Sequence, residues 1–311
     1  MKSIVLSLRI STVVVVWAAM GETSPAQTVA VNLTSDLILG FRATGGTGAT
    51  LNLEVDLGPA SQFYNATPGQ IINLSGVNGL ALKDISGAYG DNWSTRTDLF
   101  FGIIGGTGRS AGSADGHVPA RTVWASAPET TAGTQSTPWL RQSSQSQGFA
   151  SSDIESLYAG PPSALSSQLQ TSHSTVSALV NYDGTVQTLG SWTSEDLKAQ
   201  TSSFHIFNPT IDIAASRIGA AGNSLLDGTS YAVLDLYELQ PSSAAGQAGV
   251  LIGAFGLNSA GNLVFDTNPG VFTVPEPGSA FLLMIGGGLS ALLRRRSRPG
   301  KSLNPLVSHS F

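Results

Sequence analysis

The chain has 311 residues, of which 41% are apolar and only 11% charged, with 36 glycines, 15 prolines and no cysteine. A large apolar fraction with little charge specifies a folded core and not a disordered chain, and the lack of cysteine excludes disulfides, cysteine-based zinc sites and thiol nucleophiles. A formal charge of −5 argues against nucleic acid as a partner, because such binders carry a basic patch.

At the N-terminus Lys2 and Arg9 precede an uncharged run that includes Val13, Val14, Val15, Val16 and Trp17, followed by Ser24-Pro25-Ala26. A basic region, a short apolar region and small residues before a break are the layout of a secretory signal peptide. Residues 1–26 are therefore expected to direct export, with signal peptidase cutting between Ala26 and Gln27.

The exported body, residues 27–274, reads as strands. Val29, Val31 and Leu33 alternate with polar residues, as do Leu37, Leu39 and Phe41, and Leu51, Leu53, Val55 and Leu57 interleave with Asn52, Glu54 and Asp56. Period-2 alternation marks half-buried strands, and Gly45-Gly46-Thr47-Gly48 supplies the turn between the second and third of these. Residues 99–104 form an apolar run before Gly106-Thr107-Gly108-Arg109-Ser110-Ala111. That glycine pattern fits a dinucleotide fingerprint only if a helix follows, and Gly112-Ser113-Ala114-Asp115-Gly116 is a poor helix, so a glycine-rich turn is expected.

Residues 126–152, dense in Ser, Thr, Gln and Gly, read as a polar surface loop or as a boundary dividing the body into two sub-domains. Ser152-Asp153-Ile154-Glu155 has the capping-box spacing and predicts a short helical turn over 154–158, and a further helix is expected to start at Ser194. Asp183-Gly184 between residues 176–182 and 186–189 predicts a tight hairpin. Residues 231–239 are apolar on both faces, as in a strand covered from two sides, and residues 250–257 and 262–265 form a closing hairpin. The expected fold class is all-β, an antiparallel β sandwich or jelly-roll-like domain.

Reactive constellations are scarce. No G-x-S-x-G elbow occurs, and His117, His173, His205 and His309 stand apart without the i+2 or i+4 partner of a metal motif. Glu54, Asp56, Asp235 and Glu238 could in principle provide the facing carboxylates of a secreted glycoside hydrolase, but their alternation with apolar residues reads as the solvated faces of strands. Asn181, Asp183 and Asp91-Asn92 offer oxygen ligands for calcium without a complete calcium loop, and turn chemistry accounts for both. No cofactor is expected. Trp93 and Trp192, beside turn residues, are candidates for sugar stacking in a carbohydrate-binding module. Trp124 and Trp139 also sit in polar surroundings.

The C-terminal end is the most specific part of the sequence. Pro275, Glu276 and Pro277 lead into residues 278–293, an uncharged apolar stretch, and Arg294, Arg295, Arg296 and Arg298 follow at once. As a helix the stretch measures about 24 Å at about 1.5 Å per residue, short for a hydrocarbon core of about 30 Å. The arginines are expected to stay cytoplasmic by the positive-inside rule, which leaves the body outside. Pro-Glu-Pro, short apolar helix and arginine cluster, in that order and behind a signal peptide, resemble the PEP-CTERM sorting domain of exported Gram-negative proteins. The resemblance implies transient insertion in the inner membrane and processing by exosortase, an integral membrane enzyme. It also implies delivery to the cell surface or extracellular matrix, with extracellular polysaccharide and biofilm as the setting; the lack of reactive constellations adds the expectation that the body is not an enzyme. Such proteins usually end soon after the basic cluster, whereas residues 299–311 add a polar tail here. The elements within the body resemble only uncharacterised PEP-CTERM proteins.

Because seven basic residues lie in the two end segments, residues 27–277 hold 8 Lys and Arg against 19 Asp and Glu, a net charge of −11. Export therefore leaves a strongly acidic body.

Overall fold

Every strand among the described residues pairs antiparallel with its neighbours, as the alternation predicts, in a computed structural model that describes residues 35–74, 82–129, 134–167, 177–182, 190–193, 211–218, 229–242 and 246–268. The chain runs β1 (Asp36–Ala43), β2 (Leu51–Pro59), α1 (Ser61–Tyr64), β3 (Ile71–Asn73), α2 (Leu82–Tyr89), β4 (Leu99–Gly106), β5 (Val123–Pro128), α3 (Ser144–Ser167), β6 (Ser177–Asn181), β7 (Asp212–Ala214), β8 (Tyr231–Leu239), β9 (Val250–Asn258) and β10 (Leu263–Asp266). The β1–β2 and β9–β10 hairpins and the two-sided strand β8 lie where the sequence puts them. Expectations for residues 29–33, 183–189 and 194–197 fall outside the described residues.

The strands form one curled sheet in the order β3-β10-β9-β8-β5-β4-β1-β2-β6, with β7 paired to β4 off this path. This corrects the expectation of two packed sheets or a jelly roll. The reason lies at β4. One of its edges pairs with β1 from Leu99 to Gly105, while the other is divided between β7 at Phe100–Gly102 and β5 at Ile104–Gly106. β5 then continues the ladder into β8, so residues 126–152 do not break the sheet.

Alternation sorts side chains between the two faces. Leu37, Leu39 and Phe41 of β1, Leu53, Val55 and Leu57 of β2, and Phe101 and Ile103 of β4 meet Leu234, Phe255, Leu257 and Phe265 in one inner core. Phe63 of α1 packs against Phe255 and Phe265 with ring centroids 5.1 and 5.0 Å apart, closing the curl between the two ends of the sheet. Each such buried ring contributes about 1.5–3 kcal/mol by removal from water.

The outer face is covered as well. Ile38, Ile104, Val123 and Ala125 form a second core with Ala150, Ile154, Leu157 and Tyr158 of α3 and with Trp139 and Trp192. α3 replaces the predicted surface loop and short turn. Its residues 150, 154, 157 and 158 share one helical face, and packing of that face, not serine's modest propensity, holds the helix. The cap lies nine residues before the capping-box pattern: Ser146 N–H donates to Ser143 Oγ at 3.2 Å. Ser152 sits inside the helix and donates instead to the Gly148 carbonyl. The buried Tyr158 hydroxyl reaches the sheet, donating to the Asp36 carbonyl at 2.6 Å.

Candidate functional site

The residues expected to carry export and sorting, Ala26 and Gln27, Pro275, Glu276 and Pro277, and Arg294, Arg295, Arg296 and Arg298, lie outside the described residues. The body closes just ahead of them: Asp266 ends β10, Thr267 N–H donates to the Gln70 carbonyl at 3.3 Å, and Asn268 N–H donates to Asp266 Oδ1 at 2.6 Å.

The sugar-stacking expectation is corrected. Trp93 is 1% exposed and Trp192 is fully buried, so neither offers a ring face to a ligand. Trp93 joins the inner core, while Trp192 roofs the outer face of β1. Trp124 and Trp139 are also buried, Trp124 by stacking and Trp139 by donating its indole N–H to the Ser126 carbonyl at 2.7 Å. Asp91 and Asn92 lie exposed in a turn, and Asp183 is outside the described residues. No group of three or more His, Cys, Asp or Glu side chains suited to a metal ion occurs among the described residues. Gly106-Thr107-Gly108 leads into an irregular connection and not a helix, as the glycine-turn reading expects. His117 and Glu238 are near one another, and His173, His205 and His309 are outside the described residues.

The acidic side chains of the strands are not solvated, contrary to expectation. Asn52, Glu54, Asp56, Asp235 and Glu238 are all buried: residues 191–193 cover Asn52 and Glu54 of β2, and Ser136 lies on Asp235 of β8. Asn52 accepts from Ser191 Oγ at 2.6 Å and Thr193 N–H at 3.1 Å and donates to Thr193 Oγ1 at 2.7 Å. Glu54 Oε1 accepts the Trp192 N–H at 2.8 Å, and Asp56 accepts the Gly58 N–H at 2.7 Å. The partners of Asn52 and Glu54 are 138–141 positions away in sequence, and no local pattern announces them.

Asp235 forms a carboxyl pair with Glu129, which follows β5. Both are fully buried, and Glu129 is a hydrogen-bonding neighbour of the Asp235 carboxyl. Ser136 N–H donates to Asp235 Oδ2 at 2.6 Å. Burial pushes the Asp235 carboxyl up, against the hydrogen bonds from Ser136 and Glu129 that pull it down. Asp56 and Asp266 are also raised by burial. Each of these acids binds its proton more tightly folded than unfolded. Their contribution is complete below about pH 4, the unfolded value of Asp, and is lost as pH rises through the folded pKa. Acidification from neutral pH toward about pH 4 is therefore expected to raise the contribution of these groups to the melting temperature. Asp235→Asn, which removes the buried titrating group, should flatten that rise. Thermal melts of both proteins across this range check it, and an unchanged slope in the variant would contradict the assignment.

A second polar cluster closes the other face at the end of the sheet. The Tyr64 ring lies between His117, with centroids 4.2 Å apart, and Trp124, at 6.2 Å, all nearly parallel. Ser113 Oγ, the Tyr64 hydroxyl and the His117 N–H all donate to the Asp115 carboxylate, and these donors hold it well below the usual carboxylate range. Burial and the Asp115 carboxylate push the Tyr64 hydroxyl up to about 12. Glu238 accepts from the Trp124 indole at 3.4 Å and from Gln240 Nε2 at 2.9 Å, and His117 Nε2 lies 3.6 Å from it. The cluster draws on α1, the β4–β5 connection, β5 and β8. It pins that connection across the core, and sequence reasoning, which saw His117 as isolated, had no signal for it.

Fold and ends together define a β-rich body carrying a sorting segment. Residues 273–297 match the PEP-CTERM protein-sorting motif, so the chain carries that sorting domain after its folded body. The motif implies export, a transient stay in the membrane and processing by exosortase. No curated protein and no solved structure matches the chain.

Proposed function

We propose that this is a non-catalytic exported protein, released by exosortase from the inner membrane of a Gram-negative cell to its surface or extracellular matrix, where it associates with exopolysaccharide. The observation that carries the reading is the sorting motif at 273–297, placed directly behind a β body whose last described residue is Asn268. The short apolar stretch would hold the chain in the bilayer while Pro275–Glu276–Pro277 meets the membrane enzyme, and the arginines would keep the end inside.

A non-catalytic body is supported by how its acids are used. Glu54 holds the Trp192 backbone, Asp56 closes the turn at Gly58, and Asp235 and Glu129 touch one another. A glycosidase pair instead stands about 5–9.5 Å apart across a sugar ring. Intact-mass spectrometry on surface-located protein from its own host should give a chain that ends near Pro277. Replacing Arg294, Arg295 and Arg296 with Ser should leave exported but unprocessed protein. Recovery of Phe311 on the surface-located wild type would contradict the sorting role.

A further inference from the structure

Arg109 and Arg121 stand side by side across the second turn of α3. A Cβ built on Gly148 would lie 3.3 Å from Arg121 Cδ, 3.4 Å from Arg121 Nε and 3.8 Å from Arg109 Nε. Both stems therefore converge over Gly148. Arg121 is held firmly there. Its Nε donates to the Arg109 carbonyl at 3.2 Å, its Nη1 to Ser144 Oγ at 2.9 Å, and its own carbonyl accepts from Gln147 Nε2 at 2.9 Å. Its backbone has φ +67°, a left-handed conformation that costs a non-glycine residue strain. The Arg109 guanidinium lies over the Phe149 ring, 5.5 Å from its centroid.

Neither guanidinium forms an ion pair among the described residues, although Arg42 and Arg96 both do. The Glu155 carboxylate accepts the Arg109 backbone N–H at 3.4 Å. In a body with 19 acids and 8 basic residues, two like charges are thus held together with no ion-paired acid among the described residues, an arrangement that an anion joining both would stabilise. Guanidinium forks match the planar geometry of carboxylates. Phe149, 39% exposed beside them, offers an apolar edge for a ring.

We infer that Arg109 and Arg121, with Phe149, form a binding subsite for the carboxylate of an acidic polysaccharide. This deepens the exopolysaccharide reading above and rests on it. The site also explains how an acidic body could hold an anionic polymer that its overall field repels.

Affinity electrophoresis of the full chain at low salt tests the site, with polygalacturonate as the carboxylated probe, dextran as the neutral one and dextran sulfate as the strongly charged one. Wild type is expected to be retarded by polygalacturonate and not by dextran. The Arg109→Gln/Arg121→Gln double variant should lose at least tenfold in affinity, and Arg109→Lys/Arg121→Lys should keep part of it. Because Arg121 also anchors the loop, Arg109→Gln alone is the second variant; it should melt as wild type does and still lose affinity severalfold. Equal binding by wild type and both Gln variants overturns the site, as does preference for dextran sulfate over polygalacturonate, which would indicate attraction by charge alone. If wild type and variants bind dextran equally well, the polysaccharide reading stands and the arginine site falls. If wild type binds none of the three, both fall, while sorting is judged independently by the mass of the processed chain.

Discussion

Gly40→Ala is expected to lower the unfolding free energy by about 3 kcal/mol or more, at the upper end of what overpacking costs. Gly40 lies in the middle of β1, opposite Glu54 of β2 and Gly102 of β4. A Cβ there would sit 2.0 Å from both Cδ2 and Cε3 of Trp192, so the indole rests directly on bare backbone. The ring has nowhere to go. Its own N–H backbone is tied to Glu54, and its neighbours Ser191 and Thr193 are tied to Asn52. Lifting the indole would break that buried set of hydrogen bonds, and leaving it in place would force β1 out of register. At about 2–4 °C per kcal/mol for a body of this size, the melting temperature should drop by about 6–12 °C. Gly87→Ala is the matched control: it lies within α2 with no atom near its built Cβ, and there alanine should be neutral or stabilising by up to about 1 kcal/mol. Urea unfolding of the two variants side by side makes the comparison, and equal stabilities would remove the role given to Trp192.

The contrast between those two glycines shows what the sequence could and could not disclose. Strand pairing was legible because alternation is local. Leu37, Leu39 and Phe41 and then Leu51–Leu57 around a glycine turn can hardly pair otherwise without exposing the leucines, and the structure pairs Phe41 with Leu53. What covers the outer face was not legible. Asn52, Glu54 and Asp56 look like the wet side of a strand until Ser191, Trp192 and Thr193 arrive from 138–141 positions away. The same long reach put Trp192 out of solvent and removed it as a sugar platform. α3 was hidden for a different reason. Four buried positions, Ala150, Ile154, Leu157 and Tyr158, are set among serines and glycines, so the helix follows from its docking and not from propensity. Among the described residues the paired arginines at Gly148 left no trace in sequence either, since Arg109 and Arg121 approach each other only through loop geometry. The sorting segment, by contrast, is read in order along the chain and needs no tertiary structure to be seen.

Arg96→Ala is expected to cost about 3 kcal/mol, because one guanidinium holds together three separate pieces of chain. Its Nε and Nη2 take both oxygens of Asp98, at 2.9 and 2.8 Å. Nη1 donates to the carbonyls of Thr47 and Tyr89, and Nη2 also donates to that of Gly45. The β1–β2 turn, the end of α2 and the start of β4 are thereby clamped around a cleft of about 310 Å³ lined by Gly46, Thr47, Tyr89, Asn92, Arg96 and Asp98. The turn needs the clamp because it is built from residues that do little to hold themselves: Gly46 and Gly48 have φ of +64° and +78°. Tyr89 supports it from beneath, its hydroxyl donating to the Phe41 carbonyl at 2.9 Å while accepting the Leu53 N–H. Hydrogen bonds to a charged group contribute about 1.5–3 kcal/mol each before neighbours adjust. The half-exposed Asp98 side gives less, so most of the loss should come from the three carbonyls. Arg96→Lys separates geometry from charge: an ammonium cannot take Asp98 bidentately and reach three carbonyls as well, so it should recover less than half of the loss. Amide hydrogen exchange should then show faster opening of residues 44–50 in both variants, with β8 and β9 protected as in the wild type. A lysine variant as stable as wild type would mean that charge alone, and not the fork, holds the turn.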